Sequence, residues 1–457
     1  MFNISLVVLG KFTALVSRIL NLGNGSTWPG HVAVSINKNF IKNVLKLNPQ
    51  LKIILIAGTN GKTTTGKLIQ TILEKANYRV FQNESGANLL NGITSSMLLH
   101  SNILSTINYD YAIFEVDENT LPLALKEFMP DYLIVLNLFR DQLDRYGEVN
   151  TIADKWKQTL KSLPESTTLI LNSDDPQVAY LGAQSNPPGR WNRSDTLVFY
   201  FGLNDKKFTQ TKYQHAVDST YCPNCSSKLR YHSIYYSHLG DWDCRKCDNK
   251  RPKNIFSYPP PSPLTGIYNK YNILAAVLVT KKIGVSDEII YNSIKTFTPA
   301  FGRQEILSVD DKKVQIFLSK NPTSFNESLR TISSLKAKNV LLVLNDRIPD
   351  GRDVSWIWDV DFDDYVNDFE NIIISGDRCY DLGLRIKYAC KFSIFIRQPT
   401  DQFPMKNSNF NFQIEEDLKN AIGLSLKRLP KSEVLYILPT YSAMLEVRKI
   451  LTGKRIL

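Results

Sequence analysis

No stretch of this 457-residue chain is apolar over the length a bilayer span requires. The nearest approach lies in Met1 to Leu22, where Leu6, Val7, Val8 and Leu9 run together but Lys11 and Arg18 interrupt them. No basic leader and no small-residue cleavage site accompany that stretch, so it reads as a short amphipathic helix packed on the body of the protein. An exported or integral-membrane protein is therefore not expected, and the chain should work in the cytoplasm. Cysteine is scarce, with six in all, which excludes a disulfide-built scaffold. A dense basic block is also missing. The net charge of +11 is scattered over the chain, as expected of a lysine-rich solvated surface rather than a nucleic-acid footprint. What remains is an ordinary soluble composition, 43% hydrophobic and 22% charged, at a length that argues for two or three domains.

Against this background one segment carries clear chemistry. The β-branched run Lys52 to Ala57 is followed by Gly58-Thr59-Asn60-Gly61-Lys62-Thr63-Thr64-Thr65 and then by a helical pattern of Leu68, Ile69, Ile72 and Leu73. A strand, a glycine-rich turn and a helix start form a phosphate cradle: backbone N–H groups approach the phosphate oxygens, and the helix adds unpaired donors. Lys62 is placed to reach the outer phosphates, and the Thr63 hydroxyl to ligate Mg²⁺. The longer form of the loop would have glycine at position 56, where this chain has Ile56, so Gly58 acts as the first glycine of a shortened version.

From about residue 47 strands and helices alternate. Strands are expected at Ile53 to Ile56, Tyr78 to Phe81, Tyr111 to Val116, Tyr132 to Leu138, Thr168 to Leu171 and Leu197 to Phe201. The pattern predicts an α/β, doubly wound parallel sheet with ligands at the carboxyl ends of its strands. The third strand ends in Glu115-Val116-Asp117-Glu118, of which Glu115 is the expected magnesium ligand. The fourth ends in a polar loop from Asn137 to Glu148. A second alternating unit follows, with strands near Val314 to Leu318, Val340 to Leu344, Ile372 to Ser375, Phe392 to Ile396 and Val434 to Leu438. It has no phosphate loop, but it carries an acidic, tryptophan-bearing segment from Asn345 to Asp359. The expected division is a leader over 1–46, a nucleotide-binding domain over 47–298 and a C-terminal α/β domain over 299–457.

Cys222-x-x-Cys225 and Cys244-x-x-Cys247, 18 residues apart, interrupt the first unit as an insertion over 218–254. The spacing is that of a zinc ribbon, and four thiolates make a closed, structural site. Cys379 and Cys390 lie elsewhere in apolar surroundings and read as buried small hydrophobes.

The cradle, Glu115 and the loop after Asn137 resemble the ATPase domain of the Mur ligase family. Ser85-Gly86-Ala87-Asn88, the four-cysteine insertion, Lys320-Asn321-Pro322, Asp353 to Asp359 and Leu438 to Leu445 occur in the order typical of one branch. That branch is the MurT family, the synthetase subunits of lipid II isoglutaminyl synthases. The resemblance implies a Mur ligase middle domain with a zinc-ribbon insertion, followed by a Rossmann-like C-terminal domain. It also implies ATP-dependent amidation of the D-Glu α-carboxylate of lipid II, through an acyl phosphate, to D-isoglutamine. Ammonia would come from a GatD-like glutaminase subunit, and the substrate would be met at the inner face of the membrane. ATP, Mg²⁺ and structural Zn²⁺ would be the bound cofactors.

By the same resemblance Lys62, Glu115 and Asp353 carry catalysis, Asp353 from a position near the glutaminase. Gly58, Thr59, Asn60, Gly61, Lys62, Thr63 and Thr64 bind ATP together with Asn172, Asn269 and Arg303; Thr63 and Glu115 hold magnesium; and Cys222, Cys225, Cys244 and Cys247 hold zinc. Lys155 falls where these ligases carry a carbamylated lysine. Gln142 and Tyr268 stand where they commonly carry histidine. Two other readings compete: another amide ligase of the superfamily, folylpolyglutamate synthase-like or stem-peptide-joining, and a zinc-ribbon nucleic-acid-binding NTPase that would stack bases on Tyr231, Tyr235, Tyr236 or Trp242. No nucleophilic-elbow cysteine is present, so the ammonia source should be a separate subunit.

Overall fold

The computed structural model describes residues 2–19, 27–83, 87–141, 149–185, 197–210, 213–215, 217–299, 302–390 and 411–453. Three helices lead in: α1 (Phe2–Ile19), α2 (Trp28–Ile36) and α3 (Phe40–Leu47). Alternation then begins with β1 (Lys52–Ala57), α4 (Lys62–Lys75), β2 (Val80–Gln82), α5 (Leu90–His100), β3 (Tyr111–Val116), α6 (Thr120–Glu127) and β4 (Tyr132–Val135). It continues through α7 (Val149–Leu160), β5 (Thr168–Asn172), α8 (Pro176–Ser185) and β6 (Val198–Phe201). A hairpin of β7 (Arg230–Tyr236) and β8 (Leu239–Asp243) intervenes before β9 (Ile255–Phe256), α9 (Ile267–Ile283) and α10 (Asp287–Lys295).

The first sheet has the order β2-β3-β1-β4-β5-β6-β9, with every pair parallel. β1 lies inside it, its residues from Ile53 onward buried, as a β-branched run covered on both faces must be. The chain runs from β1 out to the β2 edge, back to β3, and then across β1 to β4. That reversal opens a crevice at the carboxyl end of β1, where Gly58 begins the cradle. One face is covered by α4, α9 and α10, the other by α5 to α8 and the leader. Val7, Phe40 and Val44 are fully buried in that second layer, so α1 and α3 are part of the core of the first sheet.

The second unit comprises β10 (Arg303–Val309), β11 (Lys312–Phe317), α11 (Pro322–Ser334), β12 (Asn339–Val343), α12 (Phe362–Tyr365) and β13 (Asn371–Ser375). It closes with α13 (Cys379–Ala389), β14 (Asn411–Ile414), α14 (Leu418–Arg428), β15 (Val434–Pro439) and α15 (Tyr441–Thr452). Its strand order is β10-β11-β15-β12-β13-β14, parallel except for the β10–β11 hairpin.

Three edge strands differ from the sequence expectation. β10 begins where Pro299 and Gly302 suggest a linker; it is an exposed edge with a bulge at Gln304, whose φ is +64°. β9, only two residues long, returns the chain from the insertion to the first sheet. β14 closes the far edge of the second sheet, while the expected strand at Phe392 to Ile396 lies outside the described residues. Edge strands lack the double-faced apolar run that reveals a central strand.

Candidate active site

Gly58 and Gly61 adopt φ of +138° and +92°, which turns the chain from β1 into α4. At φ +92° Gly61 is in the left-handed region that side chains avoid, and a Cβ there would stand 2.1 Å from Asn272 Oδ1 and displace that side chain. The loop is braced by the β4 edge. The Asn60 N–H donates to Asn137 Oδ1 at 2.9 Å, Asn137 Nδ2 returns a bond to the Asn60 carbonyl at 3.0 Å, and the Phe139 N–H donates to Thr59 Oγ1 at 3.0 Å. These bonds fix the loop against the segment that follows β4.

Lys62 is buried, its ammonium donating to the carbonyls of Gly58 and Thr59. Burial lowers its pKa, against the opposing pull of Glu118 and Glu115. Thr63 Oγ1 donates to Glu115 Oε2 at 2.7 Å. Two hard oxygens so spaced match neighbouring ligands of an octahedral cation with bonds of about 2.0–2.1 Å, so the pair fits Mg²⁺. Burial raises the Glu115 pKa, while Arg303, Thr63, Lys62 and Lys320 favour its ionised form. Asp117 plays a different part, its carboxylate accepting from the Thr120 N–H at the start of α6.

The second sheet closes the site from the opposite side. Lys320 donates to Asp141, and the Asn321 amide pairs with that of Asn60 at 3.1 Å and 3.4 Å. Asn321 also caps α11, accepting from the Ser324 N–H at 2.8 Å while Ser324 Oγ accepts from the Asn321 N–H. The helix start therefore faces the cradle across a cleft lined by Asn60, Gly61, Thr64, Asn269, Arg303 and Lys320 among others. Gln304 ties the junction between the sheets, bonding Thr265 in both directions and Tyr268 Oη at 2.6 Å. Lys320 also lines an adjoining pocket with Arg140, Asp141, Asp350, Asp353 and Asp359. Asp353 is exposed there, and the Ser355 N–H at 2.8 Å lowers its pKa.

Of the residues singled out from sequence, Asn60, Gly61, Thr64, Asn269 and Arg303 line this cleft, and Asn172 does not. It is fully buried at the end of β5, its amide engaged by the Leu136 carbonyl and the Asp174 N–H. The turn it begins acts as an anchor. Asp174 takes bonds from Arg251 Nε at 2.7 Å and Tyr271 Oη at 2.7 Å; its carbonyl accepts from Gly240, and Ser173 O accepts from Trp242 Nε1. Asp175 Oδ2 accepts from the Leu138 N–H at 2.8 Å, joining the anchor to the loop beside the cradle. Lys155 is exposed on α7, with Asn119 Oδ1 3.4 Å from its amine. Gln142, Ser85 and Gly86 lie outside the described residues.

The inserted hairpin brings Cys222, Cys225, Cys244 and Cys247 together, with their sulfurs all within 4.8 Å of one another. Cys222 and Cys247 lie 3.6 Å apart and Cys225 and Cys244 3.5 Å, too far for disulfides and close to the edge of a thiolate tetrahedron around a metal. The Ser227 N–H lowers Cys225 to about 6, favouring the thiolate a metal requires. Tyr235, Tyr236 and Trp242 are buried, which removes them as a stacking platform for bases. Cys379 is buried and Cys390 half-buried, both against the second-sheet core.

Sequence reasoning quoted Lys320 without a role and missed Glu327 altogether. Glu327 is buried on α11 and lines the cleft, with Gln214 Nε2 donating to Oε1 at 3.1 Å; among the described residues Oε2 has no hydrogen-bond partner. Burial raises its pKa to about 7. The folded protein therefore holds this proton more tightly than the unfolded chain. The stability it contributes is full below the ordinary carboxylate range and is lost as pH rises toward 7. The E327Q variant is expected to be more stable at pH 8 by roughly 2–3 kcal/mol, with a flatter melting temperature between pH 4.5 and 7. Calorimetry across that range checks the expectation.

A family model described as the Mur ligase middle domain matches residues 56–280, and one described as MurT ligase C-terminal matches 318–444. The solved pseudomurein peptide ligase type C from Methanothermus fervidus shares the fold, with a TM-score of 0.61 and 20% identity, covering 90% of this chain and 81% of that one. Cleft and fold together are those of a Mur-type, ATP-dependent ligase. Among curated relatives, the subunit MurT of the glutamine-hydrolysing lipid II isoglutaminyl synthase of Staphylococcus aureus (strain COL) is 34% identical over 401 residues, 83% of this chain and 86% of its own. The corresponding subunit of Streptococcus pneumoniae (strain ATCC BAA-255 / R6) is 29% identical over 455 residues, 95% of this chain and 94% of its own. The chain belongs to the MurT family.

Proposed function

We propose that this chain is the synthetase subunit that amidates the D-Glu α-carboxylate of lipid II to D-isoglutamine, in the cytoplasm at the inner face of the membrane. The observation that carries the proposal is that the phosphate cradle and the cations Lys320 and Arg303 from the second unit line one cleft, with the Thr63–Glu115 oxygen pair at the start of α4 within electrostatic reach of both cations. The loop N–H groups and Lys62 orient the γ-phosphate of ATP. Thr63 and Glu115 would hold Mg²⁺, which supplies charge neutralisation at the phosphates. A carboxylate oxygen of the substrate attacks the γ-phosphorus and ADP leaves, giving an acyl phosphate. The nitrogen lone pair of ammonia then attacks the carbonyl carbon, the C–O bond to phosphate breaks, and the nitrogen gives up a proton.

Lys320 and Arg303 would stabilise charge developing during phosphoryl transfer. Asn269 and Arg303 line the cleft as ATP-binding residues, and Asp353, kept ionised in the adjoining pocket, serves the ammonia side of the reaction near a GatD-like glutaminase. The four thiolates would hold Zn²⁺ as a structural ion. Among the described residues no helix is long and apolar enough to cross a membrane.

Mass spectrometry of lipid II incubated with the protein, ATP, Mg²⁺ and ammonium chloride tests the proposal. Conversion of one stem-peptide carboxyl to carboxamide is expected. No conversion, even with glutamine and a candidate glutaminase supplied, would leave the ligase fold without this substrate. Dependence of ATP hydrolysis on added glutamate or a diamino acid would instead favour another ligase of the superfamily.

A further inference from the structure

The leader helix α1 is apolar on two faces, and packing accounts for only one. Leu6, Val7, Gly10 and Ala14 are buried against α2 and α5. The opposite face presents Val8 at 51% exposure, Leu9 at 40%, Phe12 at 59% and Leu15 at 55%. Spacing of three and four residues puts them on one stripe. The loop after α5 adds Ile103 at 58% and Leu104 at 65%; it lies beside α1 because Lys11 Nζ donates to the Ser101 carbonyl at 2.5 Å.

The sequence that carries this patch is poor in acid. No Asp or Glu occurs from Met1 to Leu73, a stretch that includes Lys11, Arg18, Lys38 and Lys46; its Lys42 and Lys52 pair with Glu127 and Asp131 and are not counted toward the patch. None occurs from Ser85 to Tyr109, the segment containing α5 and the flanking loop. Apolar side chains on a helix within carboxylate-free, basic sequence complement an anionic lipid surface: the side chains enter the headgroup boundary and the lysines meet the phosphates.

We infer that the outer face of α1, with Ile103 and Leu104, seats the protein on an anionic bilayer. The choice of a bilayer over a protein partner rests on the reading that the substrate is lipid-anchored. The placement suits it. α5 runs from Leu90, beside the Ala87–Asn88 segment that bonds Asn83 and Asp117, to His100 at the α1 end. Its 11 residues span about 16 Å, so the patch lies roughly one helix length from the Glu115 side of the cleft.

The test uses the full chain and vesicles that contain no lipid II, of equal parts phosphatidylglycerol and phosphatidylcholine, with phosphatidylcholine alone as control. Cosedimentation with the anionic vesicles is expected to weaken at high salt and to fall about tenfold or more in the Phe12→Ser/Leu15→Ser variant. Both positions are exposed, so the variant should keep its circular dichroism and its activity on a soluble stem peptide. Wild type remaining in the supernatant, or a variant that binds as well as wild type, overturns the inference. Concentration-dependent self-association that the variant abolishes, without vesicle binding, assigns the face to a second copy and also overturns it. Because lipid II is absent from the vesicles, failed binding leaves amidation of detergent-solubilised lipid II to be judged separately.

Discussion

Replacing Lys62 with alanine is expected to lower ATP-dependent turnover by about 10³-fold with no loss of melting temperature. Both halves follow from the position of the ammonium. It is buried at the mouth of α4, above the carbonyls of Gly58 and Thr59, with Glu118, Glu115 and Asp141 as its nearest negative charges. Its place at the end of the glycine-rich loop is that of a lysine that reaches the outer phosphates of ATP. Burial holds its pKa below the ordinary lysine value, which means that burying this charge opposes folding rather than driving it. Alanine removes that desolvation cost along with the charge. Arginine should not rescue activity, because its planar fork does not fit a loop shaped for a point charge. ADP release, amide formation and a thermal scan on the same preparation are the measurements. Retention of more than about a tenth of wild-type turnover would contradict a role in transition-state stabilisation.

The second large effect is expected from Cys244→Ser. The mutant should lose one bound metal ion per chain, with the melting temperature falling on the order of 10 °C and turnover falling with it. Isolated four-ligand zinc modules owe about 10–16 kcal/mol to their metal. Here the hairpin is also clamped by Trp242 on Ser173 and Arg251 on Asp174, so a smaller loss is expected. The damage should nevertheless reach the active site by two routes. The anchoring turn carries Asp175, which holds Leu138 beside the cradle. On the other side Gln214 binds Glu327 and the Tyr235 carbonyl accepts from Arg330 at 2.9 Å, so the insertion also supports α11 of the second unit. Elemental analysis, calorimetry with and without a chelator, and turnover together test the claim. Protein with no bound metal and a melting temperature indifferent to chelation would refute it.

Several features were legible before any fold was known, and the reason is proximity along the chain. The cradle lies within eight consecutive residues between a strand and a helix, so sequence order alone implies its geometry. Two Cys-x-x-Cys pairs are likewise local, and a hairpin suffices to join them. Central strands announce themselves by unbroken β-branched runs, because both of their faces are buried. Glu115 was found because strand ends in such sheets line the crevice. Edge strands β9, β10 and β14 carry no such signature, since one side of each meets solvent or a short segment.

The partners of the cradle were a different matter. Lys320 and Asp141 are 179 residues apart, and Asn60 and Asn321 are 261 apart. Nothing in the local pattern of either segment names the other. Asn172 shows the converse: the family resemblance assigns it to ATP, and the structure holds its amide between the Leu136 carbonyl and the Asp174 N–H, a pairing that no local pattern announces. Glu327 has no signal in the sequence, because its desolvation and raised pKa come from the burial that Gln214 and the packed layers impose. Local spacing determined the phosphate loop, the thiolate cluster and the parallel strands, because backbone geometry over a few residues leaves little choice. Which charges face the loop, which polar groups are desolvated and which apolar face of α1 remains outside were decided by tertiary packing, because burial and long-range contact are properties of the assembled layers.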